Sequence, residues 1–459
     1  MDNQPTNKAH QAPHDGNNTF MLELDPVITA RADSRMQSSV VATLWNRFFL
    51  GDGVLNLEAG EENTFRLGEA ALPTVPEGKE YAISVDEKGV AIAGSDFGGL
   101  LRGFFVFLMT VEYDGEAFHA PMGCRESGYT IRNRMLHLCV FPENDLAFMK
   151  KVIRYAALCQ YTHVVIEFWG MLQFDCLKEL AWPQAFTKAQ AKELIGLCRE
   201  LGMEPIPMFN QLGHAAGARW CYGKHVVLDQ NPKLQYLFRG DGWVWNISSP
   251  QVRQLMKQVR LELYDLFGPG SYIHVGCDEA NFAGQTLDLA TYLKLLTDEV
   301  AEEGRRPMLW MDMLLPRDTF GKTSGQRYTA TCDPLLAESI RAALHPQTVL
   351  VDWQYSVKTA PVESLLSLKD DPRDVMGAPF FDNNNCKAMA QTIAENDLFG
   401  IMMTTWHLLQ RRMPSVFHCA KVCGAEFAGK TAGGLFRKIN FEGDSYETYG
   451  WSPTQLPLE

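Results

Sequence analysis

Two acids stand side by side in the stretch SYIHVGCDEA, Asp278 and Glu279, with His274 shortly before them. Adjacent carboxylates repel, and the apolar, β-branched run in front of them breaks at Gly276, so the pair sits where a strand ends and a loop begins. An ionised neighbour raises the pKa of a carboxylic acid, and a general acid working near neutral pH needs that shift. A strand-end Asp also caps helices, which is the plainer reading of Asp278 taken alone.

Such residues act together only if the fold brings several strand ends to one place. From about residue 130 onward, short apolar runs alternate eight times with amphipathic stretches. The runs are RMLHLCVF, HVVIEFW, EPIPMF, YIHVG, PMLWMD, TVLVDW, MGAPFF and GIMMTTW. Between them lie helix signals. Thr187 with Gln190 forms a capping box closed at Gly202, and Ser249 precedes Pro250 at a first helical position. Continuous apolar strands alternating with helices imply a parallel sheet covered on both faces. Closed on itself, that is an α/β fold of the (β/α)8 TIM-barrel type, whose chemistry collects at the C-terminal ends of its strands. An open doubly wound sheet is the alternative, and the lack of a Gly-rich phosphate fingerprint after the first strand weighs against it.

Those strand ends carry an inventory of polar and aromatic groups. Arg132, His137 and Glu143 belong to the first, Glu167 and Trp169 to the second, Asn210 and His214 to the third. His274, Asp278 and Glu279 follow on the fourth, Trp310 and Asp312 on the fifth, Asp352, Trp353 and Tyr355 on the sixth. Asp382 and Asn383 close the seventh, Trp406 and His407 the eighth. A single tryptophan there usually packs against a helix; indoles and carboxylates concentrated on one rim need another reason. Flat indoles with carboxylates suit a pyranose ring, which offers apolar C–H faces and hydroxyls at its edge.

The 459 residues are enough for two domains. Residues 1–19 read as a polar, disordered lead-in without the apolar centre of a signal peptide, 20–124 as a small N-terminal α/β domain, and 125–459 as the catalytic barrel with a C-terminal extension. A formal net charge of −13, from 42 basic and 55 acidic residues, argues against nucleic acid or an anionic membrane as the main partner. No run of about 18 apolar residues exists to span a bilayer. Eleven scattered cysteines form neither a disulfide framework nor a zinc pattern, and His418, Cys419 and Cys423 have no second half. A reducing, cytoplasmic setting follows as the expectation.

The stretch YIHVGCDEA resembles the His-x-Gly-Gly-Asp-Glu signature of glycoside hydrolase family 20, the β-N-acetylhexosaminidases. YTIRNRMLHL resembles that family's first-strand segment, placing Arg132 at its substrate-binding arginine. NQLGHAAGA resembles the third-strand Pro-Gly-His segment, giving His214, while PMLWMD, VLVDW and TTW are similar to the segments that wall its pocket with tryptophan. The stretch YAISVDEKGVAIAGSDFGGLLRGFFVFL is similar to the small α/β domain ahead of that family's barrel. The resemblance implies retaining hydrolysis in which the substrate's own 2-acetamido oxygen attacks the anomeric carbon to give an oxazolinium ion. Glu279 would be the general acid and then the base, and Asp278 would orient the acetamido group. Trp310, Trp353 and Trp406 would wall the sugar, Arg132 would hold its hydroxyls, and His214 and His274 would position other groups.

The chain departs from the pattern in several places. Cys277 replaces a glycine, His137 an aspartate, and Phe380 a tyrosine that donates a hydrogen bond to the acetamido oxygen, for which Tyr355 is a candidate replacement. TTWHLL lacks the acid expected two residues after the tryptophan, leaving Glu167 and Trp169 to read the sugar hydroxyls and leaving GlcNAc against GalNAc open; Asp382 is a further candidate substrate-binding residue. The expected substrate is a small oligosaccharide with a terminal β-linked N-acetylhexosamine, with no cofactor and no metal, and a homodimer is compatible with the sequence. Two rival readings remain: a metal-dependent barrel hydrolase using His214 and His274, against which the missing His-x-His after the first strand counts, and a non-catalytic amino-sugar binder or sensor, which Phe380 favours and the Asp278–Glu279 pair does not. The aromatic tail FEGDSYETYGWSPTQ has no assigned role.

Overall fold

The computed structural model describes residues 9–11, 20–215, 232–239, 242–280, 286–316, 333–406 and 409–439. Eight parallel strands close into a barrel: β1 (Asn133–Cys139), β2 (His163–Glu167), β3 (Glu204–Met208), β4 (Tyr272–His274), β5 (Arg306–Trp310), β6 (Val349–Trp353), β7 (Asp374–Ala378) and β8 (Gly400–Met403). Each corresponds to one apolar run of the sequence. They are buried almost throughout because helices cover the outside, while Met135, Val165, Ile206, Met308, Trp310, Val351, Met376 and Met402 fill the inside. The expected helix signals hold: Thr187 and Gln190 form a complete capping box ahead of Lys188–Glu200, and Ser249 caps Pro250–Phe267.

Register decides what meets at the mouth. Cys139 pairs with Glu167, Glu167 with Met208, Met208 with His274, and Trp353 with Ala378. The C-terminal ends of β1 to β4 are therefore level, and whatever follows Glu167, Met208 and His274 converges on one rim.

The N-terminal domain is a six-stranded sheet, ordered Gly123–Glu126, Tyr81–Asp86, Gly89–Gly94, Thr64–Gly68, Val27–Ala32 and Val54–Ala59, beside a four-stranded sheet. Its outer strand runs to Glu126, slightly past the expected boundary at 124. The apolar helix Phe97–Thr110, capped by Asp96, is buried along nearly its whole length. Ala9–Gln11, within the segment expected to be disordered, form an edge strand antiparallel to Phe20–Leu24, and the rest of that segment lies outside the described residues, as does the tail from 440 on.

The domains are joined by a buried ion cluster. Glu80 accepts from Arg102 Nε at 2.5 Å and from Arg134 at the start of β1, through both carboxylate oxygens at 2.9 Å. Arg134 is 1% exposed and lies over the Tyr129 ring, 3.6 Å from its centroid. Burial alone would raise the Glu80 pKa, but the two guanidiniums outweigh it and hold the carboxyl below its ordinary range. A depressed carboxylate stabilises the fold above its unfolded pKa and loses that contribution as pH falls. Glu80→Ala leaves Arg134 buried without its counter-ion and is expected to cost about 3–5 kcal/mol in urea unfolding. A loss below about 1 kcal/mol would show that Arg134 finds other partners.

Candidate active site

The loop after β4 takes a strained path that presents the two acids. Gly276, Cys277 and Glu279 all have positive φ, at +69°, +71° and +48°. At 276 only glycine fits, because a Cβ would stand 2.4 Å from the Asn210 amide carbon. Asn210, just beyond β3, holds the loop in that path: its Oδ1 accepts the Cys277 N–H at 3.0 Å and the Leu212 N–H at 3.2 Å, and its Nδ2 donates to Asp278 Oδ1. Below the loop His274 is fully buried, takes the Gly276 N–H on Nδ1 at 3.0 Å, and packs 4.4 Å from the Trp310 ring. Burial pushes its pKa down to about 3, so it is a neutral positioning group.

His214 brings the pair together. Its Nε2 lies 3.2 Å from both Asp278 Oδ2 and Glu279 Oε2. Asp278 is 5% exposed, whereas the Glu279 side chain keeps 30%. One carboxylate is thus sequestered and fully partnered, and the other faces the opening. The Glu279 peptide is held on both sides: its N–H donates to Asp312 Oδ2 at 2.9 Å and its C=O accepts from Trp243 Nε1 at 2.7 Å. Ligand atoms of His214, Asp278 and Glu279 fall within 4.8 Å of one another, making this trio the set among the described residues that could also take a cation.

The other side of the mouth is aromatic. Trp310 lies 5.9 Å from Trp406, whose Nε1 donates to Tyr355 Oη at 2.9 Å. The Tyr355 ring stands 4.9 Å from Trp353 and 5.3 Å from Phe380. The phenol therefore lies next to the phenylalanine that occupies the tyrosine's expected place. His137, where an aspartate was expected, pairs with Glu167 at 3.2 Å and packs 4.4 Å from Trp406. Glu167 is 1% exposed, so it supports this wall from behind.

Four residues expected at the rim lie elsewhere. Arg132 is exposed and immediately precedes β1, at the N-terminal end of the barrel and away from the strand ends that carry the acids. Asp382 caps the helix Asn383–Glu395, accepting the Asn384 and Asn385 N–H groups at 2.9 and 3.1 Å and pairing with Lys358. Trp169 is 8% exposed and lies edge-on to Trp182, 5.2 Å away, so its ring packs instead of offering a face. Asp352 turns toward the helical layer, where it accepts from Ser364 and Gln354, and burial pushes it up to about 6. His407 lies outside the described residues. Trp243 went unnoticed in the sequence because GWVWN belongs to no strand end.

Residues 170–290 match the sequence profile of the glycosyl hydrolase family 20 catalytic domain, a span that includes His214, Asp278 and Glu279. No curated protein sequence matches the chain. Among solved structures, the fold is similar to an exo-β-N-acetylglucosaminidase of Vibrio harveyi bound to N-acetylglucosamine, at 15% identity and a TM-score of 0.63, over 94% of this chain and 75% of that one. It is similar to a β-N-acetylhexosaminidase of Bacteroides fragilis at 15% identity and 0.61, over 91% and 89%. A Streptomyces plicatus β-hexosaminidase variant with bound N-acetylglucosamine gives 14% and 0.62, over 93% and 89%. At such identities the likeness is one of fold. The profile match covers the segment that bears the acids, and over most of its length the chain is similar in fold to enzymes of glycoside hydrolase family 20.

Proposed function

We propose that the protein is an exo-acting β-N-acetylhexosaminidase that removes terminal β-linked GlcNAc or GalNAc from small oligosaccharides, with retention, through an oxazolinium intermediate. The observation that carries this reading is the unequal pair sharing His214. Glu279 faces the opening, as an acid that protonates a leaving oxygen must. Asp278 is sequestered between Asn210 and His214, placed to orient an acetamido group and to balance charge on its nitrogen. The solved relatives with N-acetylglucosamine bound support the sugar class. Trp310, Trp353 and Trp406 would form the wall against which the ring packs. We also propose a cytoplasmic setting, since the nine described cysteines are free thiols; a disulfide found in the native protein would count against it.

The test is release of nitrophenol from the 4-nitrophenyl β-glycosides of GlcNAc, GalNAc and glucose. Cleavage confined to the acetamido sugars supports the proposal, and the epimer ratio reports specificity. Cleavage of the plain glucoside at a similar rate would remove the acetamido group from the mechanism. Activity unaffected by a chelator is expected; its loss, with recovery on adding a divalent cation, would favour the metal-dependent reading of the same trio.

Tyr355 supplies a further check. If its hydroxyl takes the place of the absent tyrosine, Tyr355→Phe is expected to lower kcat/KM by about 10- to 100-fold, the range expected for losing one hydrogen bond in a desolvated site. An unchanged value would return Tyr355 to a packing role beneath Trp406.

A further inference from the structure

We propose that Asp312 is the positioning residue of Glu279, and that it works as a neutral acid. The inference rests on the reading of Glu279 as the acid–base residue, but its protonation state can be tested without substrate.

The geometry starts from strain. Glu279 adopts a left-handed backbone, φ +48°, which is strained for a residue bearing a Cβ. Such a conformation persists only when its surroundings hold it. The peptide of Glu279 is held at its N–H by Asp312 Oδ2 and at its C=O by the indole of Trp243. Asp312 stands on the short 3-10 turn directly after β5, so this hydrogen bond ties the β4 loop to the barrel wall.

The surroundings of Asp312 are those of an uncharged group. It is 1% exposed, and among the described residues the acids facing it are Asp278 and Glu279; from β6 the Trp353 indole donates a hydrogen bond to it, which with the Glu279 N–H offsets part of the effect of burial. Among the described residues no lysine, arginine or histidine pairs with it, and its Oδ1 has no hydrogen bond. Asp278, by contrast, has the Asn210 amide and the His214 imidazole. A buried carboxylate needs several donors or a cation, whereas a neutral acid can accept one N–H on its carbonyl oxygen and keep its proton on the other. Burial, with the charge of Asp278 adding to it, pushes the Asp312 carboxyl well above its ordinary range. Keeping Asp312 neutral spares the site a further negative charge beside Asp278.

The experiment uses the full-length protein and two variants. Infrared difference spectra of wild type minus Asp312→Asn, taken at neutral pH, should show loss of a protonated-carboxyl C=O band. Loss of carboxylate bands instead overturns the proposal. In kinetics, asparagine copies the neutral acid and presents a carbonyl to the same N–H, so Asp312→Asn should lose less than about tenfold in kcat, whereas Asp312→Leu should lose about 100-fold or more with KM changed little. Equal loss in both variants overturns the proposal too. If Asp312→Leu fails to fold, as a thermal melt would reveal, the infrared spectrum and the asparagine variant still decide. Should wild type cleave no acetamido sugar, the functional reading fails while the infrared result stands on its own.

Discussion

Glu279→Gln is expected to lower kcat on a nitrophenyl or natural N-acetylhexosaminide by about 10²- to 10⁴-fold, with KM changed by less than a few-fold. Glutamine keeps the length and shape of the side chain, its oxygen can still accept from His214, and the clamp on the peptide by Asp312 and Trp243 does not involve the side chain at all. What is lost is the transferable proton. A fall confined to kcat therefore isolates proton transfer from positioning. The loss should be largest for poor leaving groups, which need protonation most, and smaller for a nitrophenol, which departs readily as an anion. Equal loss across leaving groups would mean that Glu279 acts by some other route, and retained activity on all of them would move the acid to another residue. His214→Ala tests the same geometry from the side: both carboxylates lose the one imidazole they share.

The barrel and the acid pair were legible because each rests on a strong local signal. Eight strands covered on both faces must be apolar along their whole length, so β1 to β8 stand out between amphipathic stretches. Once a closed barrel is inferred, any polar residue just past a strand belongs to the rim, and that rule alone brings His214, Asp278, Glu279, Trp310, Trp353 and Trp406 together. The rule fails in two ways. Arg132 counts with the first strand end both by its place near that apolar run and by resemblance to a segment, yet it stands one residue before β1, at the end of the barrel where no chemistry collects. Asp382 does follow a strand, but a helix begins at Asn383, and its unsatisfied N–H groups claim the carboxylate. Contacts made through the backbone leave no trace in residue patterns. The hold of Trp243 and Asp312 on the Glu279 peptide, and of Asn210 on the Cys277 N–H, depends on a left-handed turn for which Gly276 was the sole visible sign.

Asp278→Asn should be nearly as damaging as Glu279→Gln, about 10²-fold or more in kcat/KM, for a different reason. Asp278 is 5% exposed and ringed by donors: the Asn210 amide reaches Oδ1 and His214 Nε2 stands 3.2 Å from Oδ2. An asparagine there must turn its own NH2 toward one of those donors, and it brings no charge to balance the positive charge that grows on the acetamido nitrogen as the ring closes. Both effects act on the step in which the substrate serves as its own nucleophile, so the variant should respond to the nucleophile's strength differently from wild type. Replacing the acetyl group by mono-, di- and trifluoroacetyl weakens the carbonyl oxygen in steps. Wild-type rates should fall steeply along that series if the oxygen attacks in the rate-limiting step. In Asp278→Asn the starting rate should already be low, and the slope should change because the charge that answered the developing oxazolinium is gone. A wild-type rate indifferent to fluorination would remove the acetamido group as nucleophile. A variant with the wild-type slope and rate would mean that Asp278 serves the β4 loop through Asn210 and His214, and that the charge it carries does not act on the sugar.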